Sequence, residues 1–181
     1  MIYDVTDTAL WVAAYRAQEN ARQDALFRDP FAQRLIGERA ERIATSTQGS
    51  RYTAWSVVIR TCIIDAFIMD LLDRGIDTVL NLGAGLDTRP YRLNLSKNLR
   101  WIEVDFENIL NLKDNLLETA HPQCCLERVT LDLSDINKRD LFFEKINSES
   151  KKVLIITEGV IPYLSNENAE SLAKSLYRHK I

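Results

Sequence analysis

Thr78-Val79-Leu80-Asn81-Leu82-Gly83-Ala84-Gly85-Leu86-Asp87-Thr88 is the stretch on which the fold turns. Its first five residues are a short, apolar, partly β-branched run that Gly83 closes. A run of that length bounded by glycine reads as a buried strand. The Gly-Ala-Gly that follows lets the chain turn tightly off the strand end and pass close to a ligand without a Cβ in the way. By itself a Gly-x-Gly is usually only a turn, so its meaning depends on its surroundings.

Upstream, Trp55, Val58, Ile59, Cys62, Ile63, Ala66, Phe67 and Leu71 follow the apolar stripe of a helix over residues 54–74. Gly75 stands where a glycine ends a helix. Downstream, Arg100-Trp101-Ile102-Glu103-Val104, Arg128-Val129-Thr130-Leu131 and Val153-Leu154-Ile155-Ile156-Thr157 read as three further strands, the last the most apolar. Helical patterns fill the gaps: residues 106–119, with Ile109, Leu110, Lys113, Leu116 and Leu117, and residues 138–146, with Leu141, Phe142 and Ile146. Ser165 is an N-cap for a final helix with the stripe Ala169, Leu172, Ala173, Leu176 and Tyr177. Strands alternating with helices imply right-handed βαβ units, hence an α/β fold around a parallel sheet covered on both faces.

Before that unit, Ala9, Leu10, Ala13, Ala14 and Ala17 form a helical stripe and Asp29-Pro30 marks a break. Residues 31–43 read as a second short helix and residues 45–49 as a polar loop. The chain divides into an N-terminal helical extension, residues 1–53, and an α/β domain, residues 54–181.

Composition narrows the function classes. A chain of 181 residues buries about 70% of its unfolded surface and needs neither disulfides nor metal for a core. A hydrophobic share of 46% and a charged share of 27% set it apart from disordered sequences. The net charge of −3 argues against a nucleic-acid footprint. The start, Met1-Ile2-Tyr3-Asp4, is acidic and unlike a signal peptide, and Arg60 and Asp65 interrupt the best apolar run, so no membrane partner is expected. Cys62, Cys124 and Cys125 lack zinc-ligand spacing, so no metal is expected; Cys62 reads as a small buried hydrophobe. A cytoplasmic, reduced protein fits this composition.

The glycine loop acquires meaning from Asp105, at the end of the second strand and twenty residues beyond Gly85. A carboxylate there can accept both hydroxyls of a ribose, in the crevice beyond the strands' carboxyl ends. An adenosine-type cofactor follows, and two candidates compete. The dinucleotide fingerprint wants a third glycine, where this chain has Thr88, and pyrophosphate wants an open helix N-terminus, whereas a bulky charged run, Asp87-Thr88-Arg89-Pro90-Tyr91-Arg92, follows here. S-adenosylmethionine carries no phosphate; its amino-acid tail needs one anionic and one cationic partner. The balance favours a methyltransferase over a nicotinamide-dependent oxidoreductase.

Five collinear stretches then match one pattern. They are Thr8-Ala9-Leu10-Trp11-Val12-Ala13 with Arg16-Ala17 and Asp29-Pro30-Phe31-Ala32; Arg60-Thr61 with Asp65; Asn81 through Arg89 with Tyr91-Arg92-Leu93; Glu103-Val104-Asp105 with Lys113; and Glu158-Gly159-Val160 with Tyr163-Leu164. From about Thr8 to the end the chain resembles the leucine carboxyl methyltransferase family, in particular its bacterial branch of S-adenosylmethionine-dependent methyltransferases. The resemblance implies a Rossmann-like class I methyltransferase fold with S-adenosylmethionine as cofactor. It implies that Arg60 holds the carboxylate of the methionine moiety, that Gly83 and Gly85 pass close to that moiety, and that Asp105 binds the ribose. Asp132 would accept from the adenine amine and Leu133 would give a backbone contact. Glu158 would lie where cofactor meets substrate and face the cofactor's amino group, Tyr163 would line the acceptor pocket, and Arg16 would be a second carboxylate anchor. His121 and His179 match no motif and read as surface residues.

The resemblance also implies O-methylation of a carboxylate on a small molecule or a peptide, a reaction that needs no general base because the acceptor is already ionised. A non-catalytic remnant that still binds cofactor is the alternative from the binding class. The family's sheet has the order 3-2-1-4-5-7-6, and only strands one to four can be found here. The expected sheet is therefore 3-2-1-4, C-terminally truncated, with strand 4 an exposed apolar edge that invites self-association.

Overall fold

The structure, a computed structural model, describes residues 5–36 and 51–179. Helix α1 spans Val5–Ala21, and a helical turn at 32–36 follows the Asp29-Pro30 break. The rest of the helix expected over 31–43 and the loop expected over 45–49 lie outside the described residues. Then come α2 (Arg51–Asp73), β1 (Thr78–Leu82), α3 (Arg89–Arg92), β2 (Arg100–Asp105), α4 (Glu107–Leu116), β3 (Cys125–Thr130), α5 (Ile136–Glu149), β4 (Val153–Ile156), a 3₁₀ turn (Ile161–Tyr163) and α6 (Asn166–His179).

The four strands form one parallel sheet in the order β3-β2-β1-β4, as the sequence predicts for a Rossmann-like fold. Leu82 pairs with Val104 and Val104 with Val129, while Leu80 pairs with Ile155. This register aligns the carboxyl ends along one rim. Successive side chains point to opposite faces. Leu80, Leu82, Ile102 and Val104 pack against Phe143 and Ile146 of α5 and Leu172 of α6, whereas Val79, Trp101 and Ile156 pack against Ile68 of α2 on the other face. A third apolar cluster joins Leu10, Ala13, Ala14 and Ala17 of α1 to Leu86 and Tyr91, so the N-terminal helix is built onto the glycine loop.

Helix boundaries follow local chemistry. At the end of α2 the Gly75 N–H donates to Leu72 O (3.0 Å) and the Ile76 N–H to Leu71 O (3.4 Å), with Gly75 at φ 87°. These are the two bonds of a Schellman end. Asp135 caps α5 by accepting from the Lys138 N–H, and Ser165 caps α6 by accepting from the Asn168 N–H.

Three stripes differ from expectation. In α2 the buried residues are Val57, Val58, Thr61 and Ile68, while Trp55, Ile63 and Phe67 are exposed. The helix meets the sheet along a narrow face, and its other apolar side lies beside β4, which among the described residues pairs only with β1. In α5 the face toward the sheet is the i, i+4, i+7 row Arg139, Phe143 and Ile146, which docks against the sheet core and leaves Leu141 exposed. In α6 Leu172 and Ser175 are buried and Tyr177 is exposed. No helix among the described residues is long and apolar enough to cross a membrane.

Candidate functional site

The glycine loop leaves β1 at the centre of the rim. Gly83 (φ 67°) donates its N–H to Val104 O at 2.7 Å, anchoring the loop to β2. A Cβ on Gly83 would come within 2.2 Å of Val160 Cγ2. The bare Cα is therefore required by the turn after β4 crossing close above it. Gly85 (φ 50°) donates its N–H to Asp105 Oδ2 at 2.7 Å, and Asp105 Oδ1 accepts the Phe106 N–H at 2.7 Å. One amide on each oxygen fixes the carboxylate at the mouth of the loop. A carboxylate has about four acceptor positions, so two remain for a ligand.

On the other side of the loop lies a charge network that the sequence reading treats as a bulky charged run. Arg89, nearly fully buried, donates to Asp65 Oδ1 (2.7 Å), Asp87 Oδ2 (3.0 Å) and Glu158 Oε2 (2.8 Å). Arg60 Nε donates to the other oxygen of Glu158 at 2.8 Å. Arg92 pairs with both oxygens of Asp65 (2.6 and 2.9 Å). Asp87 also accepts from Asn81 Nδ2 (2.9 Å) and the Arg89 N–H (2.9 Å). Arg16 donates to Asp29 Oδ2 (2.9 Å) and Leu86 O (2.6 Å), and Thr88 Oγ1 donates to the same Asp29 oxygen (2.6 Å).

Burial pushes the Asp87 carboxyl up, but the Arg89 guanidinium, with Lys113, Arg16 and Arg92 behind it, overcomes this and holds it well below the usual carboxylate range. Burial likewise opposes the Arg89 charge, and Asp87, Glu158 and Asp65 raise its pKa above the ordinary arginine value. The network is thus ionised throughout its centre. Nothing in the spacing of residues 87–92 distinguishes a solvated turn from this arrangement, because the partners lie at Asp29, Asp65 and Glu158.

At the end of β3, Asp132 Oδ1 accepts from the Ser134 N–H (2.8 Å) and Ser134 Oγ (2.7 Å). Leu133 is buried beside it, packed in the α5 core.

The structure brings all eight predicted site residues, Arg60, Gly83, Gly85, Asp105, Asp132, Leu133, Glu158 and Tyr163, around one cavity of about 460 Å³. Arg16 also borders it, through contacts that brace the loop. Trp11 and Val12 of α1 and Val57 of α2 add an apolar wall that the motif reading does not assign to the site. Arg60 is 39% exposed, and its two terminal nitrogens have no hydrogen-bond partner among the described residues. His121 lies on the surface, whereas His179 is half-buried between Phe143 and Asp140 and far from the cavity lining. The amides of Gly85 and Arg89, which a pyrophosphate at this loop would need, are both accepted by carboxylates.

Comparison with known proteins agrees with this architecture. The family model of leucine carboxyl methyltransferase matches residues 9–177. A Frankia alni protein, provisionally named an S-adenosyl-L-methionine-dependent methyltransferase, is 32% identical over 172 residues, which cover 91% of this chain and 61% of that protein. Proteins provisionally given the same name from Mycobacteroides abscessus and Streptomyces coelicolor are each 29% identical, covering 96% and 91% of this chain and 63% and 62% of theirs. The chain therefore spans about three fifths of the length of the curated relatives it matches. With its sheet order, its glycine loop and its motifs all in register, this chain belongs to the leucine carboxyl methyltransferase family.

Proposed function

We propose that the cavity binds S-adenosylmethionine and that the protein takes part in O-methylation of a carboxylate on a small molecule or peptide. The observation that carries this reading is the set of charged groups around the cavity beyond the strand ends. An acceptor-only carboxylate, Asp105, sits at the glycine loop, and a second, Asp132, sits at the next strand end. Opposite them stands the Arg60–Glu158 pair. An adenosine bearing a zwitterionic amino-acid tail needs that combination, and a pyrophosphate needs a different one.

In this reading Asp105 accepts from the ribose hydroxyls with the oxygen positions that Gly85 and Phe106 leave free. Arg60 directs its terminal nitrogens, which have no partner among the described residues, to a carboxylate. Glu158, fixed between Arg60 and Arg89, offers its carboxylate to an ammonium group. When bound, the cofactor would supply an electrophilic methyl on sulfonium sulfur to an acceptor's oxygen. The chain's own contribution is alignment and charge, with no proton to move, which suits a cavity lined by no histidine among the described residues. The apolar wall of Trp11, Val12 and Val57 excludes water from one side.

Calorimetric titration with S-adenosylhomocysteine tests this. Binding is expected, and Asp105→Ala is expected to weaken it at least about tenfold, the usual scale for hydrogen bonds to a charged group. Absence of binding by the wild type at millimolar ligand overturns the reading.

A further inference from the structure

We propose that Arg139 positions the base-reading carboxylate Asp132, and that a buried arginine on α5 thereby sets the cavity's selectivity for a 6-aminopurine. The inference rests on the adenosine reading of the cavity and names a residue that no motif includes.

Arg139 is 1% exposed, and no carboxylate lies within ion-pair distance of it among the described residues. A buried guanidinium in that situation is costly unless fixed acceptors meet its donors. Here they do. Nη1 donates to Leu133 O at 2.7 Å, and Nη2 donates to Ser171 Oγ at 2.8 Å and Ser171 O at 3.1 Å on α6.

The Leu133 carbonyl and the Ser134 N–H belong to one peptide unit, and a peptide unit is a rigid plane. The Ser134 N–H donates to Asp132 Oδ1 at 2.8 Å. One plane is therefore held at both edges, by Arg139 at its carbonyl and by Asp132 at its amide. If the plane rotates away from Arg139, the donor that orients Asp132 goes with it. Ser134 Oγ strengthens the same oxygen's tie, which directs the pair's free acceptor, Oδ2, to a ligand. The Asp132 side chain lies at the exposed end of the cavity, where a carboxylate without such a tie samples several rotamers.

A carboxylate oxygen accepts from the amino group of adenine, whereas hypoxanthine presents a carbonyl there and meets acceptor with acceptor. Base choice thus reads out how well Asp132 is aimed, which a purely structural role for Arg139 does not move.

The test titrates the full chain with S-adenosylhomocysteine and S-inosylhomocysteine, with thermal melting to confirm that each variant is folded. The wild type is expected to prefer the amino base by about tenfold or more. Asp132→Ala is expected to abolish that preference, and Arg139→Lys to reduce it several-fold. Ser171→Ala removes one anchor of the arginine without touching the cavity, keeps the question open to test if Arg139→Lys unfolds, and is expected to reduce the preference by a smaller factor. In all of them, discrimination against 5′-methylthioadenosine, which lacks the amino-acid tail, is expected to stay at the wild-type level. Undiminished base preference in the folded variants overturns the role of Arg139. A wild type that binds both bases equally overturns it while leaving the cofactor reading standing, and a wild type that binds neither overturns both.

Discussion

Asp87 shows what a single buried charge does here. It lies between Arg89, Asn81 and the Arg89 amide, and its carboxyl titrates below the ordinary aspartate range because of the surrounding arginines. Its contribution to stability is complete above the unfolded-chain value of about 3.9 and is lost as the pH falls from there toward the folded pKa. Asp87→Asn should lower stability by about 3 kcal/mol at pH 7, the scale for breaking a buried pair. In thermal melts the gap between wild type and Asp87→Asn should narrow below about pH 4. A gap that stays constant down to pH 2 contradicts the assignment. Gly83 is the steric counterpart. Gly83→Ala combines a left-handed backbone with an overlap at 2.2 Å from Val160, and about 2–4 kcal/mol is the expected cost. Val160→Ala removes only the overlap, so chemical denaturation of the four-member cycle should give a favourable coupling of about 1–3 kcal/mol.

Among the elements, α2 separates local from tertiary control. Its end at Gly75 is written in the chain, since only a residue tolerant of positive φ closes a Schellman turn. A Cβ there meets nothing nearer than Lys152 Nζ at 3.9 Å, so Gly75→Ala should cost only the backbone term, about 1 kcal/mol by denaturant unfolding. The contrast with Gly83 measures how much of a glycine's importance is conformation and how much is contact. The buried face of α2 is a different matter. Its apolar residues run around much of the helix, so periodicity alone assigns Trp55, Ile63 and Phe67 to a core that the sheet supplies only to Val57, Val58, Thr61 and Ile68. The register of α5 shifted for the same reason, since a helix's inner row is chosen by what it docks against.

At the scale of the whole molecule, β4 pairs with β1 alone among the described residues, and beside it stand Ile64, Leu71 and Phe67 of α2, the last 62% exposed. Unpaired strand edges next to apolar surface template pairing with another strand. We propose a second copy of this chain as the occupant. An antiparallel β4–β4 pair about a two-fold axis satisfies both edges at once and brings the apolar residues beside them together. Sedimentation velocity of the chain should show concentration-dependent association that Phe67→Lys reduces. A monomer at every concentration, or a variant that associates as strongly, rules this out.

How much was legible differs with the range of the interaction. The four strands, the glycine loop and Asp105 at the second strand end follow from residue type and short spacing, because parallel βαβ units place successive strand ends on one side, whereas the order of the sheet and the places of Arg60, Asp132 and Glu158 follow from the family resemblance. Spacing does not say what each charge touches. The two arginines on Glu158, the Val160 contact that makes Gly83 indispensable, and Arg139 reaching the peptide behind Asp132 join residues far apart in the chain. By itself the sequence determined the sheet and the rim of the cavity; only the tertiary structure decided which charges are buried together. Local backbone chemistry is fixed by neighbours, whereas burial and ion pairing exist only once distant segments meet.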